Sequence, residues 1–500
     1  MLSGNPSTAD KENLKNLPLC NPSSFFVKRV FFFAAPCLLI WSLYFLAFYP
    51  GLMSGDSFSQ WMQIGSFHFH DHHPAFHTLA IFLLTRLWHS PAVVALFQAV
   101  SLAAIFGYAL ALFEEIGVPK LALRLSALAF CLAPINGMYS ITLWKDVSYA
   151  IALLWLTILM VPVLTSRGAW LEKNGNQFVL VLSLILVSSF RHNGIIPFFL
   201  TILALFLLFR EKWRPLLKVA FFSFLLLFLI KVPLYHLLGV GPGASGRLLT
   251  IPIQQVASVL AQDGEIAPRD RVFLERIMPL SDWRKYKADF VDPVVYNEKM
   301  LAFLSYTPDQ QLRKENNRNF LRIWLQAVWN NPKIVIKGYR SLSSIIWQVD
   351  QPHDSYTYTC EKGIDPNNCG LHLGLESHSL SPRLKALLLS FIAWTEQPSL
   401  VWLFWRPALS LYSTLLFAFL LMRRRGLSYS LLLIPSFANV LSLLISVPSQ
   451  DVRYMYPTIL VAFALLPLAL STKNEKTSGP NHAASSSIPS SSSTRRLTFY

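Results

Sequence analysis

The chain has 500 residues, 53% of them hydrophobic and only 14% charged, with a mean hydropathy of +0.42; a soluble protein of this size needs far more polar surface. The net charge of +16 invites a nucleic-acid reading. Much of that excess flanks apolar runs, where the positive-inside bias accounts for it, so nucleic acid is not expected as a partner.

Residues 1–27 read as a cytoplasmic N-terminal segment with no cleaved signal, and Lys28 and Arg29 open the first apolar run as a signal-anchor. Apolar runs follow at about 30–49, 92–113, 121–138, 147–164, 177–190, 195–209, 219–238, 405–422, 428–447 and 454–471. Several approach the roughly 20 residues that span a bilayer. Two weaker runs are 74–88, which carries His77 and Arg86, and 386–404, broken by "TEQPS".

Ten spans put every basic segment on one side: Lys28 and Arg29, Lys120 and Arg124, "SRGAWLEK", "REKWRPLLK", "MRRRG" and the tail. Counting 74–88 as a span moves the later basic loops outside. Both weaker runs are therefore expected to be interfacial or re-entrant helices on the outer face.

The expected fold class is mainly α, a polytopic helical membrane protein. Residues 28–238 form a transmembrane module with a first outer loop at 49–91. Residues 239–385 form an extracytoplasmic soluble insertion, helical around 309–330 and again after Pro332. Residues 386–471 hold the interfacial helix and the C-terminal spans. The Ser-rich residues 472–500 read as a disordered cytoplasmic tail.

The topology sends one set of polar residues outward. Asp56 stands in "YPGLMSGDSFSQW", where Tyr49, Pro50, Gly51 and Gly55 favour a turn at the bilayer surface. It is either a solvated loop residue or a general base within reach of a lipid headgroup. Asp146 in "LWKDVSY" is either an interfacial partner of Lys145 beside Trp144, or a second acid that binds a metal or orients a reacting group.

The histidine run "SFHFHDHHPAFHT" ends in Pro74, a residue that opens helices; His73 and His77 then share a face. His72, His73 and His77 are candidates for phosphate or sugar contact. A zinc site at His73 and His77, with Asp71 or another histidine as third ligand, is a second reading. Solvated residues without a role are a third, and His68 and His70 fit it best.

Arg191, His192 and Asn193 lie between closely connected spans, and Arg453 and Tyr454 follow Asp451. These arginines either snorkel or contact phosphate, for which guanidinium geometry is suited. Lys145, Arg247, in the Gly-rich "GVGPGASGR", and Gln254 and Gln255, in "IPIQQVA", complete the substrate-binding candidates. No Walker spacing occurs, which excludes a nucleotide loop. Cys20, Cys37 and Cys131 read as packing residues. Cys360 and Cys369 are close enough in sequence to form a disulfide if their segment is extracytoplasmic.

"YPGLMSGDSFSQW", "HHPAFHT", "WKD", "RHNG", "IPIQQVA" and "DVRYMYP", scattered from 45 to 460, resemble the GT-C superfamily of polytopic glycosyltransferases that use lipid-phosphate-linked sugars. They look most like a bacterial membrane-protein branch of it. The resemblance implies a GT-C-like fold in the bacterial cytoplasmic (inner) membrane, with the active face extracytoplasmic. It implies transfer from a polyprenyl-phosphate-linked sugar to an envelope glycan, lipid or protein acceptor, among membrane lipids.

Asp56 matches the family's first-loop acid, the candidate base. Asp146 matches its second-loop acid, and His73 with Pro74 its His-Pro pair. The first acid is a single Asp followed by Ser57, where many relatives have paired acids, and the large insertion lies between spans. A divalent cation (Mg or Mn) is the candidate cofactor, with Asp56, Asp146, His73 and His77 as candidate ligands. The alternative is a lipid-linked glycan transporter or flippase, whose polar residues belong near the midplane on broken helices. A scaffold for envelope assembly is a third class.

Overall fold

The structure is a computed structural model and describes residues 24–243, 249–352, 355, 357–364 and 373–471. The expectations for residues 1–23, for Arg247, for Cys20, for the Cys360–Cys369 pairing and for the tail from 472 fall outside the described residues. Among the described residues the chain is helical, with isolated backbone bridges and no strand.

The first half contains α1 (Ser24–Ala47), α2 (Gly55–Ser66), α3 (Ala75–Thr85), α4 (Pro91–Glu115), α5 (Lys120–Leu132), α6 (Pro134–Ser140), α7 (Lys145–Thr165), α8 (Asn174–Phe190), α9 (Ile195–Leu208) and α10 (Trp213–Leu229). The insertion contributes α11 (Thr250–Ala261), α12 (Pro268–Ile277), α13 (Gln310–Asn330) and α14 (Pro332–Leu342). The chain closes with α15 (Pro382–Thr395), α16 (Ala408–Arg425), α17 (Ile434–Ser446) and α18 (Tyr456–Leu470).

Each of the ten apolar runs is helical. Five helices are long and apolar enough to cross a membrane: Ser24–Ala47, Pro91–Glu115, Lys145–Thr165, Arg210–Leu237 and Val452–Leu470. The pair α5 and α6, bent by 60°, makes a sixth if it is one span. The bend has a local cause, because Pro134 disfavours helical backbone at Ala133, whose ψ is 119°. Helix α3 has 11 residues. It is about 16 Å long, too short for a hydrocarbon core of about 30 Å. Run 386–404 divides into α15 and a short turn, Val401–Phe404.

Helix α7 is the centre of the bundle, with nearly every side chain buried. Helix α10 is peripheral and exposes Phe221, Phe222 and Phe228, the apolar outer face a lipid-facing helix requires. Helices α1 and α4 pack closely. A Cβ at Gly107 would meet the Val30 carbonyl oxygen at 2.6 Å, so only glycine allows this approach.

The alternating helix directions sort the polar residues. One end of the bundle collects the C-terminus of α1, the N-terminus of α7, the α8–α9 turn and the start of α18. The other end holds Arg29–Glu114 at 3.6 Å, Lys120–Glu114 at 3.8 Å and the Lys212–Glu172 pair.

The insertion is helical where its sequence indicates. Asp309 caps α13 by accepting hydrogen bonds from the Gln311 and Leu312 amides, and Pro332 sits in the first turn of α14. Arg406, 2% exposed, ties the insertion to the last helices. Its guanidinium donates to the carbonyls of Gln348 and Ser344, to Thr357 Oγ1 and to Gln450 Oε1, at 2.9–3.2 Å. Gln450 Nε2 donates in turn to the Ser341 and Leu342 carbonyls. A buried charge without such partners is strongly unfavourable. Cys37, Cys131 and Cys360 are buried.

Candidate functional site

The first outer loop is fastened to the start of α7. Gly51 has φ of +133°, and a Cβ there would lie 3.0 Å from the Ile141 carbonyl oxygen, so glycine is required. The Leu52 amide donates to the Ile141 carbonyl, and the Leu143 amide to the Leu52 carbonyl, both at 2.9 Å. Ser57 Oγ donates to the Leu143 carbonyl at 2.8 Å, and Trp144 Nε1 to Ser54 Oγ at 2.8 Å. These bonds carry Asp56, in the first turn of α2, to Lys145.

Lys145 Nζ is 2.6 Å from Asp56 and 3.8 Å from Asp146. Arg191 Nη1 is 2.7 Å from Asp146. Arg453 reaches Asp56 at 3.3 Å through Nη1 and Asp451 at 2.7 Å through Nε. His73 Nε2 lies 3.7 Å from Asp56. Three carboxylates thus face three permanent cations, the pairing that buried charge demands. Aromatic rings wall the arginines: Arg453 faces Trp144 and Tyr454 at 4.9 and 5.3 Å, and Arg191 faces Tyr149 and Tyr454 at 5.6 and 5.3 Å.

Exposure separates the acids. The Asp56 side chain is 31% exposed, against 1% for Asp146 and 5% for Asp451. Asp56 is the acid of the three that a ligand reaches most readily. Burial alone raises the pKa of its carboxyl, but Lys145, Arg453 and His73 outweigh it and hold the group well below the usual carboxylate range. At Asp451 burial wins over Arg453, and the carboxyl is pushed up to about 6.

The tight α8–α9 turn aims Arg191. A Cβ at Gly194 would fall 2.0 Å from the Val187 carbonyl oxygen, so no other residue fits there. Asn193 Nδ2 donates to Ser442 Oγ at 2.7 Å and anchors the turn to α17. His192 departs from Arg191 and turns to Asp71, with Nε2 3.2 Å from its carbonyl oxygen. Lys231 Nζ approaches the same residue's Oδ2 at 3.7 Å.

The other histidines divide. The rings of His72 and His73 meet edge to face at 4.9 Å, and those of His70 and His72 at 5.9 Å. His77 points into the protein, its Nδ1 3.1 Å from Gln60 Oε1 and its ring against Phe190. Burial pulls its pKa down to about 3, so it is neutral.

The structure therefore brings together Asp56, His73, Lys145, Asp146, Arg191, Arg453 and Tyr454 from across the chain. It places Gln254 and Gln255 elsewhere. Gln254 Nε2 donates to the Lys287 carbonyl at 2.5 Å, and Gln255 accepts from Trp324 Nε1 at 2.6 Å, both inside the insertion. Two participants had weak signals in the sequence. Asp451 was visible only as the neighbour of Arg453. Lys231 was a lone lysine in an apolar run, a costly placement that itself marks function or pairing; it sits in a π-helical turn, Ile230–Leu234.

Among the described residues no three His, Cys, Asp or Glu side chains gather to hold a metal ion. Asp56 and Asp146 face Lys145, Arg191 and Arg453. Asp71, the third ligand of the zinc reading at His73 and His77, faces Lys231 and His192.

No curated protein and no solved structure matches the chain. A family model described as a family of unknown function, DUF6020, matches residues 68–483. The matched segment includes His73, Lys145, Asp146, Arg191, Asp451 and Arg453, while Asp56 lies just upstream. The chain belongs to the DUF6020 family.

Proposed function

We propose that the protein is an integral membrane glycosyltransferase of the GT-C type. It moves a sugar from a polyprenyl-phosphate donor to a cell-envelope acceptor on the extracytoplasmic face of the bacterial cytoplasmic membrane. The observation that carries this reading is Asp56: a reachable carboxylate, gripped by Lys145 and Arg453, at the end of the bundle away from the basic loops. An acid for the acceptor and cations for a phosphate meet at one place, at one end of the helical bundle. Ten spans accommodate all the basic loops on the cytoplasmic side.

In the reaction, the donor's prenyl chain lies in the bilayer and its phosphate meets Arg453 and Lys145. Asp56 accepts the proton of the acceptor hydroxyl. The acceptor oxygen bonds to the anomeric carbon as the bond from that carbon to the phosphate oxygen breaks. The polyprenyl phosphate departs with the electron pair, stabilised by the same cations. Arg191 holds Asp146, and Asp146 keeps Lys145 in place when it turns to phosphate. The insertion 239–385 helps select the acceptor.

The bent pair α5 and α6 is the one feature that favours a transporter. Its polar groups are engaged, however: Asn136 donates to the Phe130 carbonyl at 2.9 Å and accepts from Tyr456 OH at 3.1 Å. The test is transfer from labelled polyprenyl-phosphate sugars in reconstituted membranes. Asp56→Asn is expected to lower the rate by at least about 100-fold at normal protein levels. Undiminished transfer in that variant ends the assignment of Asp56 as base. A donor that crosses the bilayer without transfer identifies a flippase.

A further inference from the structure

Asp56 is the most exposed acid of its network, yet two cations hold it at 2.6 and 3.3 Å. Each of those cations also has a second, buried partner: Lys145 has Asp146 at 3.8 Å, and Arg453 has Asp451 at 2.7 Å. If Asp56 let go, neither cation would be stranded without a counter-charge. Asp146 and Asp451 are anchors, and Asp56 is the partner that can be exchanged.

The network also carries unspent hydrogen-bonding capacity. The Arg191–Asp146 and Arg453–Asp451 contacts are close, but Arg191 Nη1, Arg453 Nε and both carboxylate oxygens of Asp146 have no hydrogen-bond partner among the described residues. Each donor is charge-paired with a carboxylate at 2.7 Å, so what an acceptor with several oxygens adds is hydrogen-bond alignment rather than a missing charge partner. A phosphate supplies such oxygens in the geometry a guanidinium prefers.

We propose that Asp56 is a resident anion: an incoming phosphate takes its place against Lys145 and Arg453, and this exchange frees the carboxylate. The exchange itself is a binding event and needs no chemistry. Its consequence for transfer rests on the glycosyltransferase reading. The base is available only once the donor phosphate is seated, so donor precedes acceptor, and no free base faces water while the site is empty.

The exchange predicts an unusual result: removing the charge of Asp56 tightens binding, because the phosphate no longer competes with a carboxylate. The full chain in phosphatidylcholine nanodiscs is titrated with long-chain polyprenyl phosphate, with the matching polyprenol and with inorganic phosphate. Asp56→Asn, and Asp56→Ser as a second variant, are expected to bind polyprenyl phosphate about 5–10-fold tighter than the wild type. Lys145→Gln binds at least about tenfold weaker, and polyprenol binding is the same throughout.

Unchanged or weaker binding in both Asp56 variants overturns the exchange. Tightening confined to inorganic phosphate overturns the lipid as its source. The two readings fail separately. Tighter binding with transfer retained in Asp56→Asn upholds the exchange and removes Asp56 as base; unchanged binding with transfer lost does the reverse.

Discussion

Each end of the bundle holds one acid between two cations. At one end Asp56 meets Lys145 at 2.6 Å and Arg453 at 3.3 Å; at the other Glu114 meets Arg29 at 3.6 Å and Lys120 at 3.8 Å. The side chains of Lys145 and Arg453 are each 15% exposed, whereas Lys120 is 74% exposed. The Asp56 cations continue into Asp146, Arg191 and Asp451, and those residues are fixed by tight turns and backbone bonds. Among the described residues the Glu114 clamp continues into the neighbouring Glu115 and forms no ion pair beyond it. Similar charges therefore make a connected network with two little-exposed cations at one end and a smaller clamp with one strongly exposed cation at the other, where solvent screens part of the attraction.

Breaking the network from within is the most severe test. Arg191→Met strands Asp146 as a buried, partly compensated charge, at an expected loss of about 3–5 kcal/mol. Thermal unfolding in detergent reads it, and Arg191→Met with Asp146→Asn is expected to recover much of the loss. No recovery would mean that Arg191 acts through packing on Tyr149 and Tyr454.

The pH response gives a smaller effect of defined sign. Burial keeps the Asp451 carboxyl at about 6, above its unfolded value near 4. The folded state then holds this proton more tightly than the unfolded chain. Stability relative to Asp451→Asn rises as pH falls from about 6 to about 4 and is flat above. Asp56, held low, acts in the opposite sense, and its contribution is lost only as pH falls below about 4. Unfolding midpoints of the two proteins across that range check the sign.

The smallest effect belongs to the other end. Glu114→Gln is expected to cost no more than about 1 kcal/mol and to leave transfer within about twofold of wild type. A large loss of transfer there would erase the contrast between the ends.

Much of this was legible in the sequence. Each of the ten apolar runs is helical, because continuous hydrophobicity needs no partner to declare itself. Asp56, His73, Asp146, Arg191 and Arg453 were singled out through the sidedness of lysine and arginine, and they converge. What sequence cannot display is cancellation. Asp56 and Arg453 are 397 positions apart in the chain, so each looked like an unspent charge. Gln254 and Gln255 lie apart from this network for the opposite reason: Gln254 Nε2 is taken by the Lys287 carbonyl and Gln255 Oε1 by Trp324, partners fixed only by the insertion's packing.

Arg406 has a consequence for segment exchange. Its guanidinium needs the carbonyls of Ser344 and Gln348 on one side and Gln450 on the other. A foreign segment spliced in place of 239–385 would leave that charge buried with few acceptors, and its remaining partner, Gln450, is the residue before Asp451. The insertion and the segment around Gln450 are therefore expected to tolerate exchange only together. Local substitutions within the insertion are expected to be tolerated where a whole exchange is not, because the exchange removes the partners of a buried arginine next to the Asp451 segment.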